Sequence, residues 1–180
     1  MPGHAQVVTS SPSRASSRPV RRAGVEDAAA LVRLRGVMFD AMGVPTGGAD
    51  AAWRPTAEAW FVQWLARPAL FTAFVVDDPS LGVVSAACGI CDARAPGPRG
   101  LSGARGLVFN IATDPRRRRR GHARACVIAL LSWFEKDTPA EAVELSATPD
   151  GLPLYTSLGF RERGHPTMRL GLGTSTEAVL

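Results

Sequence analysis

Two hydrophobic periods run along this chain, and the points where one replaces the other mark its elements. Short apolar runs or alternation indicate strands, and apolar residues recurring about every 3.6 positions indicate helices. From Leu107 to Ala112 the residues are mostly β-branched or aromatic, with one polar interruption at Asn110, and read as a strand. Asp114-Pro115 ends it, because proline donates no ladder hydrogen bond and restricts the residue before it. A helix follows, with Ala123, Val127, Leu130, Leu131 and Phe134 forming the expected core stripe.

The same reading covers the rest of the chain. Pro19–Ala23 is a short first strand, and Gly24-Val25-Glu26-Asp27 opens a helix with acids in its first turn. That helix shows an apolar face of Ala28, Leu31, Leu34, Met38 and Met42, and Gly43, Pro45, Gly47 and Gly48 end it in a loop. Thr56 is the expected N-cap of a second helix through Ala66, which carries Trp60, Phe61 and Trp64, with Trp53 just ahead. Leu70–Val76 and Leu81–Cys91 read as strands joined by an Asp77-Asp78-Pro79 turn, and a Pro/Gly loop spans Asp92–Gly103. Ala142–Ala147 is a fifth strand and Leu152–Leu158 a short helix. Phe160–Leu170 is expected to form the final strands, turning at Gly164-His165-Pro166. The resulting order, β-α-α-β-β-β-α-β-α-β, is mixed α/β without internal repeats. It forms a single domain over residues 18–172, with a disordered tail at 1–17 and a second tail at 173–180.

Between the central strand and its helix lie five arginines, Arg116 to Arg120, and then Gly121. A helix start has N–H groups without intrahelical partners and carries the positive end of the macrodipole, so added positive charge there costs stability unless an anion arrives. Gly121 and the small Ala123 let a bulky anion approach the backbone. Arg118-x-x-Gly121-x-Ala123 therefore reads as a pyrophosphate cradle. The chain has no G-x-x-x-x-G-K-[ST], which excludes a P-loop NTPase, and no G-x-G-x-x-G after the strand, which argues against a dinucleotide fold.

Composition is that of an ordinary globular protein, with 46% hydrophobic and 21% charged residues. No apolar run approaches the roughly 18 residues a membrane span needs, and the N-terminus lacks the h-region of a signal peptide, so the expectation is a cytoplasmic protein without a membrane partner. The net charge is +5, yet of 21 basic residues only Lys136 is a lysine, a bias that fits a GC-rich coding sequence. Outside the one loop the basic residues are dispersed, unlike a nucleic-acid face, so no nucleic-acid partner is expected. Cys88 and Cys91 are spaced like half of a metal site, but no second pair follows; with Cys126 they read as buried free thiols and no metal is expected.

The R-x-x-G-x-A spacing past a strand-ending proline resembles the coenzyme A loop of the GCN5-related N-acetyltransferases (the GNAT family). Leu154-Tyr155-Thr156-Ser157-Leu158-Gly159-Phe160 is similar to that family's Y-x-x-L-G-F segment. The resemblance implies a mostly antiparallel mixed sheet of six or seven strands, splayed at its centre and flanked by about four helices. It implies acetyl-CoA as acyl donor, no metal, transfer to a primary amine by direct attack in a ternary complex, and dimers as a common oligomeric state. Pantetheine contacts would fall on Ile111, Ala112 and Thr113, with the Thr113 N–H toward the acetyl oxygen. Pyrophosphate contacts would fall on the loop, from Arg118, Arg119, Arg120, Gly121, His122, Ala123 and Arg124. His122 points either to phosphate or to solvent.

Tyr155, the only tyrosine, is the candidate general acid for the leaving thiolate. The general base is open among Asp114, Glu144 and a backbone-held water. Candidate acceptor contacts are Asn110, which either pins a bulge or touches substrate, together with Met38 and Trp60, whose helices either pack the core or flank the acceptor pocket. Thr148 stands where the family often has an asparagine. The acceptor, a small molecule or a peptide amine, is not legible; for a cationic amine, local acids such as Asp40, Asp50 or Glu58 would have to supply the attraction. A non-catalytic acyl-CoA-binding module on the same fold is the alternative.

Overall fold

A computed structural model describes residues 19–98, 100–164 and 167–171, so the two tails, Arg99 and the expected turn at His165-Pro166 lie outside the described residues. Its contacts cluster into two units, Met1–Ser146 and Ala147–Leu180.

The first unit is built on a sheet of five strands in the order β1-β2-β3-β4-β5. These are β1 Val20–Arg22, β2 Phe71–Asp78, β3 Gly82–Ala93, β4 Ala104–Thr113 and β5 Val143–Glu144. The first four pair antiparallel, and β5 joins β4 in parallel. Two long helices, α1 Ala28–Ala41 and α2 Trp53–Leu65, follow β1; α3, His122–Asp137, follows β4. No helix among the described residues is long and apolar enough to cross a membrane.

Each helix stands where a local interaction starts it. Gly24 N–H donates to Asp27 Oδ2 at 2.9 Å, and Arg21 donates to both Asp27 oxygens at 2.7 and 2.9 Å, so the chain turns into α1 through a buried, neutralised carboxylate. The helix α2 begins three residues before Thr56, which is therefore not its N-cap; the Thr56 hydroxyl donates back to Ala52 C=O at 3.4 Å. The preceding loop is held by Trp53 Nε1–H donating to Thr46 C=O at 2.8 Å and by Thr46 Oγ1 to Asp40 Oδ1 at 3.0 Å.

Alternation along β4 assigns the layers. Phe109 lies against Trp60 of α2, with ring centroids 6.1 Å apart. Gly106 faces the other way: a methyl group built there would stand 2.6 Å from the Phe134 ring of α3. Helices α1 and α2 thus cover one face and α3 the other. The core on the first side joins Leu31, Leu34, Phe61, Phe71, Val75 and Cys88. On α3 the buried stripe is His122, Cys126, Val127, Leu130, Trp133 and Phe134, a rotation from the expected face that leaves Ala123 and Leu131 only half-buried. All three cysteines are buried and free.

The described residues of the second unit include a short helix, α4 Leu152–Thr156. Thr148 shapes its entry, its C=O accepting from Gly151 and Leu152 N–H at 2.9 and 3.0 Å. The described residues after Phe160 form no strand, so the expected sheet of six or seven strands has five among the described residues. A strand needs a ladder partner, and exposed positions such as Met168 and Leu170 have none of the burial that a paired strand would give them.

Candidate active site

The central strand carries the feature around which the site is built. Cys88 pairs with Phe109 and Ala86 with Ala112, so two steps on β3 match three on β4, a β-bulge. Asn110 sits in it with φ +51°, a left-handed conformation that asparagine tolerates better than most residues. Its side chain is buried and engaged: Nδ2 donates to Leu31 C=O at 3.4 Å and lies 3.8 Å from Cys88 Sγ, while Oδ1 accepts from Arg35 Nη1 at 3.4 Å. Asn110 thus sits in the bulge with its side chain bonded to Leu31 and Arg35.

Beyond the bulge the strand has a free edge. Strands β4 and β5 are paired only at Gly106–Val143 and Leu107–Glu144, after which the sheet forks. Asp114 N–H donates to Val84 C=O at 2.8 Å, so alternation turns the backbone groups of Ala112 to β3 and those of Ile111 and Thr113 to the fork. The structure thus separates the three expected pantetheine contacts: Ile111 and Thr113 present backbone to the open edge, while Ala112 is turned away, its C=O accepting from Ser85 Oγ at 3.1 Å.

The loop after β4 is less uniformly cationic than five arginines suggest. Arg116 grips Asp114 with Nε and Nη2 at 3.0 and 2.9 Å. Arg117 Nε donates to Asp78 Oδ2 at 2.7 Å, and Arg118 Nε donates to Thr113 C=O at 3.3 Å. Two carboxylates of the chain therefore offset part of the repulsion that the sequence assigned to the run. Arg119 and Arg120 are exposed and form no ion pair among the described residues.

Two left-handed residues shape the backbone here, Arg119 with φ +62° and Gly121, the N-cap of α3, with φ +78°. The first bond of α3 at this end is Ala125 N–H to Gly121 C=O at 3.0 Å, and the amides of His122, Ala123 and Arg124 lie ahead of it. Nothing stands within 4 Å of a methyl group built on Gly121. Left-handed turns leading into a helix start, with open space above, form a concavity suited to a polyanion. The His122 side chain is buried, 8% exposed, and so does not point to solvent, while its backbone amide lies at the helix start.

Asp114 is not suited to act as a base. It is buried, accepts from Arg116 and from Arg33 Nη1 at 3.4 Å, and the Arg116 guanidinium holds its carboxyl down at about 2. Glu144 stands at the last paired position before the fork, opposite Leu107 and on the face that carries Phe109.

On that face a cavity of about 490 Å³ opens between α1, α2 and β4, lined by Arg35, Phe39, Trp53, Thr56, Ala57, Trp60, Phe61 and Phe109. Trp60, a candidate acceptor contact, lines it. Met38 does not; it packs against the core. Asn110 reaches the cavity only through Arg35. None of Asp40, Asp50 or Glu58 lines it, and all three are exposed. Arg35 was not anticipated, because an arginine on a helix otherwise reads as solvated surface.

In the second unit, Tyr155 is buried on α4, edge-on to Phe160 with ring centroids 6.1 Å apart. Burial raises its hydroxyl above the ordinary tyrosine value, which keeps it protonated at neutral pH.

Comparison with solved structures shows the same fold. A predicted acetyltransferase from Clostridium acetobutylicum, crystallised with acetyl-CoA, superposes with a TM-score of 0.74 at 20% identity, over 86% of this chain and 96% of that one. Glucosamine-6-phosphate N-acetyltransferase from Arabidopsis thaliana gives 0.66 at 12% identity, over 84% and 97%. An aminoglycoside acetyltransferase from an uncultured soil sample gives 0.63 at 17% identity, over 88% and 99%. No functionally curated protein matches the sequence. Residues 43–160, well over half of the chain, match the sequence profile described as Acetyltransferase (GNAT) family. With the forked sheet, the bulge and the loop before α3, that match establishes that the chain belongs to the GNAT family of acetyltransferases.

Proposed function

We propose that this protein is an acetyl-CoA-dependent N-acetyltransferase that modifies a primary amine by direct attack in a ternary complex. The observation that carries this reading is the forked β4 edge at Ile111 and Thr113, which runs straight into the left-handed loop at Gly121. One edge offers backbone groups to an extended amide-bearing arm, and the other end offers helix amides to a pyrophosphate.

Acetyl-CoA supplies an acetyl group activated as a thioester; the chain supplies orientation and proton handling. Thr113 N–H is the donor assigned to the acetyl oxygen, a role that requires a fixed dipole where negative charge develops. Arg119 and Arg120, exposed beside the concavity, add long-range attraction for phosphate, while Arg116, Arg117 and Arg118 shape the loop. The amine must lose a proton as it attacks, and Glu144 is the carboxylate assigned to take it, directly or through water. Tyr155 is assigned to protonate the departing sulfur. The Y-x-x-L-G-F match supports that role. The aromatic cavity beside Phe109 is the acceptor site.

The test is thiol release from acetyl-CoA with a panel of amines. Amine-dependent release by the wild type, reduced about 10²-fold or more in kcat by Tyr155→Phe, is expected. Binding of acetyl-CoA without release for any amine would instead favour a non-catalytic acyl-CoA-binding role.

A further inference from the structure

Arg35 is an uncommon residue for its place. It lies on the buried side of α1, half-buried, in a cavity whose other walls are five aromatic rings, Thr56 and Ala57. Its guanidinium carbon stands 4.7 Å from the Phe39 ring centroid, and its one polar contact among the described residues is the 3.4 Å bond to the Asn110 amide oxygen. It forms no ion pair among the described residues. The other arginines that pack between elements here have a carboxylate or a backbone carbonyl: Arg21 has Asp27 and Asp77, Arg33 has Asp114 and Val83, and Arg117 has Asp78. A half-buried cation facing apolar walls is costly unless a counter-ion joins it, and none of the described residues supplies one.

Building on the N-acetyltransferase reading, we infer that the acceptor is an amine that also bears a carboxylate on an aromatic or apolar body, with Arg35 as the residue that recognises the carboxylate. The guanidinium fork matches a carboxylate with two parallel hydrogen bonds, and a compact monoanion suits a site with a single cation. Phe39, Trp53, Trp60 and Phe109 suit an aromatic side chain, and there are few hydroxyl or amide groups to receive a sugar. The distances also suit a small acceptor. Phe109 lines the cavity and Ile111, two residues on, turns its backbone to the fork, so no more than about 7 Å of chain separates them. A separation of that order suits an acceptor of amino-acid size better than a long polyamine. The same cation opposes polycationic acceptors, which would meet Arg35 where the anticipated acids are absent.

The experiment compares phenylalanine with phenethylamine, its analogue without the carboxylate, and with glucosamine 6-phosphate, using wild type, Arg35→Gln and Arg35→Lys. Two readouts are taken: kcat/KM for thiol release, and quenching of tryptophan fluorescence by N-acetylphenylalanine and by N-phenethylacetamide with coenzyme A present. Trp53 and Trp60 line the cavity and report occupancy directly. Acetyl-CoA titration and thermal melting establish that each variant is folded with its donor site intact. The wild type is expected to favour the carboxylated member of each pair by about tenfold or more; Arg35→Gln brings the ratio near one and Arg35→Lys restores part of it. Equal handling of the pair by the wild type, an unchanged ratio in Arg35→Gln, preference for the phosphate sugar, or no binding by either N-acetyl compound overturns the inference. Any of these alongside intact acetyl-CoA binding leaves the N-acetyltransferase reading standing; loss of acetyl-CoA binding by the wild type removes both.

Discussion

Arg35 Nη1 and Asn110 Oδ1 meet at 3.4 Å, and that contact joins the two halves of the site. Arg35 lines the aromatic cavity; Asn110 holds the bulge that turns Ile111 and Thr113 to the fork. The left-handed backbone at Asn110 is the kind of strain that persists only where surrounding contacts fix it, and Leu31, Cys88 and Arg35 supply those contacts.

The arginine loop divides into residues that build it and residues that face solvent. Arg119 holds φ +62°, a conformation that costs a residue bearing Cβ about 1 kcal/mol. Arg119→Gly is expected to be more stable than Arg119→Ala by about that amount in urea unfolding, while both weaken acetyl-CoA binding equally. Arg116→Ala behaves oppositely: it strips the two side-chain bonds from buried Asp114 and is expected to lower stability in the same urea unfolding.

Asp114 gives the fold an acid limb. Its carboxyl is held at about 2 in the folded protein, below its ordinary value of 3.8, so folding favours the ionised form. That contribution is complete above about pH 4 and is lost as the pH falls from 4 toward 2. Asp114→Asn is expected to flatten the stability curve over that window by about 1 kcal/mol and to lower stability at pH 7, read by thermal melting in a pH series. An acid limb of unchanged slope in Asp114→Asn contradicts the assignment.

Sheet and helix α3 fit together because β3 and β4 lack side chains at two points. A methyl group at Gly106 would meet the Phe134 ring at 2.6 Å, and one at Gly89 would meet Leu130 and Phe134 at 2.8 Å. Gly106→Ala is expected to cost about 1–3 kcal/mol through overpacking, and Phe134→Leu in the same chain to recover part of it. A double-mutant cycle without coupling would show that the contact is slack.

How much of this could be read from the sequence depends on which force placed each part. The strand, loop and helix around Asp114-Pro115 were legible, because proline chemistry and hydrophobic period act locally. The glycine requirement at Gly121 was legible for the same reason. The buried stripe of α3 was not, because two helical faces are available in that sequence. Trp133 and Cys126 win against Leu131 and Ala123 only when the helix docks on the sheet. The start of α2 was misplaced, since its loop is tied down by the Trp53 indole, a tertiary contact, rather than by a capping hydroxyl. The final strands failed because a ladder needs a partner that no local pattern supplies. Asn110 drew notice as a polar residue within a strand, but its left-handed φ and its bond to Arg35 arise from residues 75 positions apart. Arg35 gave no signal at all: what sets it apart is that no carboxylate among the described residues pairs with it.

The central claim, that the loop before α3 holds acetyl-CoA, is tested most directly by calorimetric titration of acetyl-CoA into the wild type and into Gly121→Glu. At φ +78° a side chain is strained, and a carboxylate would project where the pyrophosphate is expected. The account predicts wild-type binding at about micromolar Kd, and loss of at least about 10²-fold in the variant at matched thermal stability. No binding by the wild type, or equal binding by a folded Gly121→Glu, contradicts it.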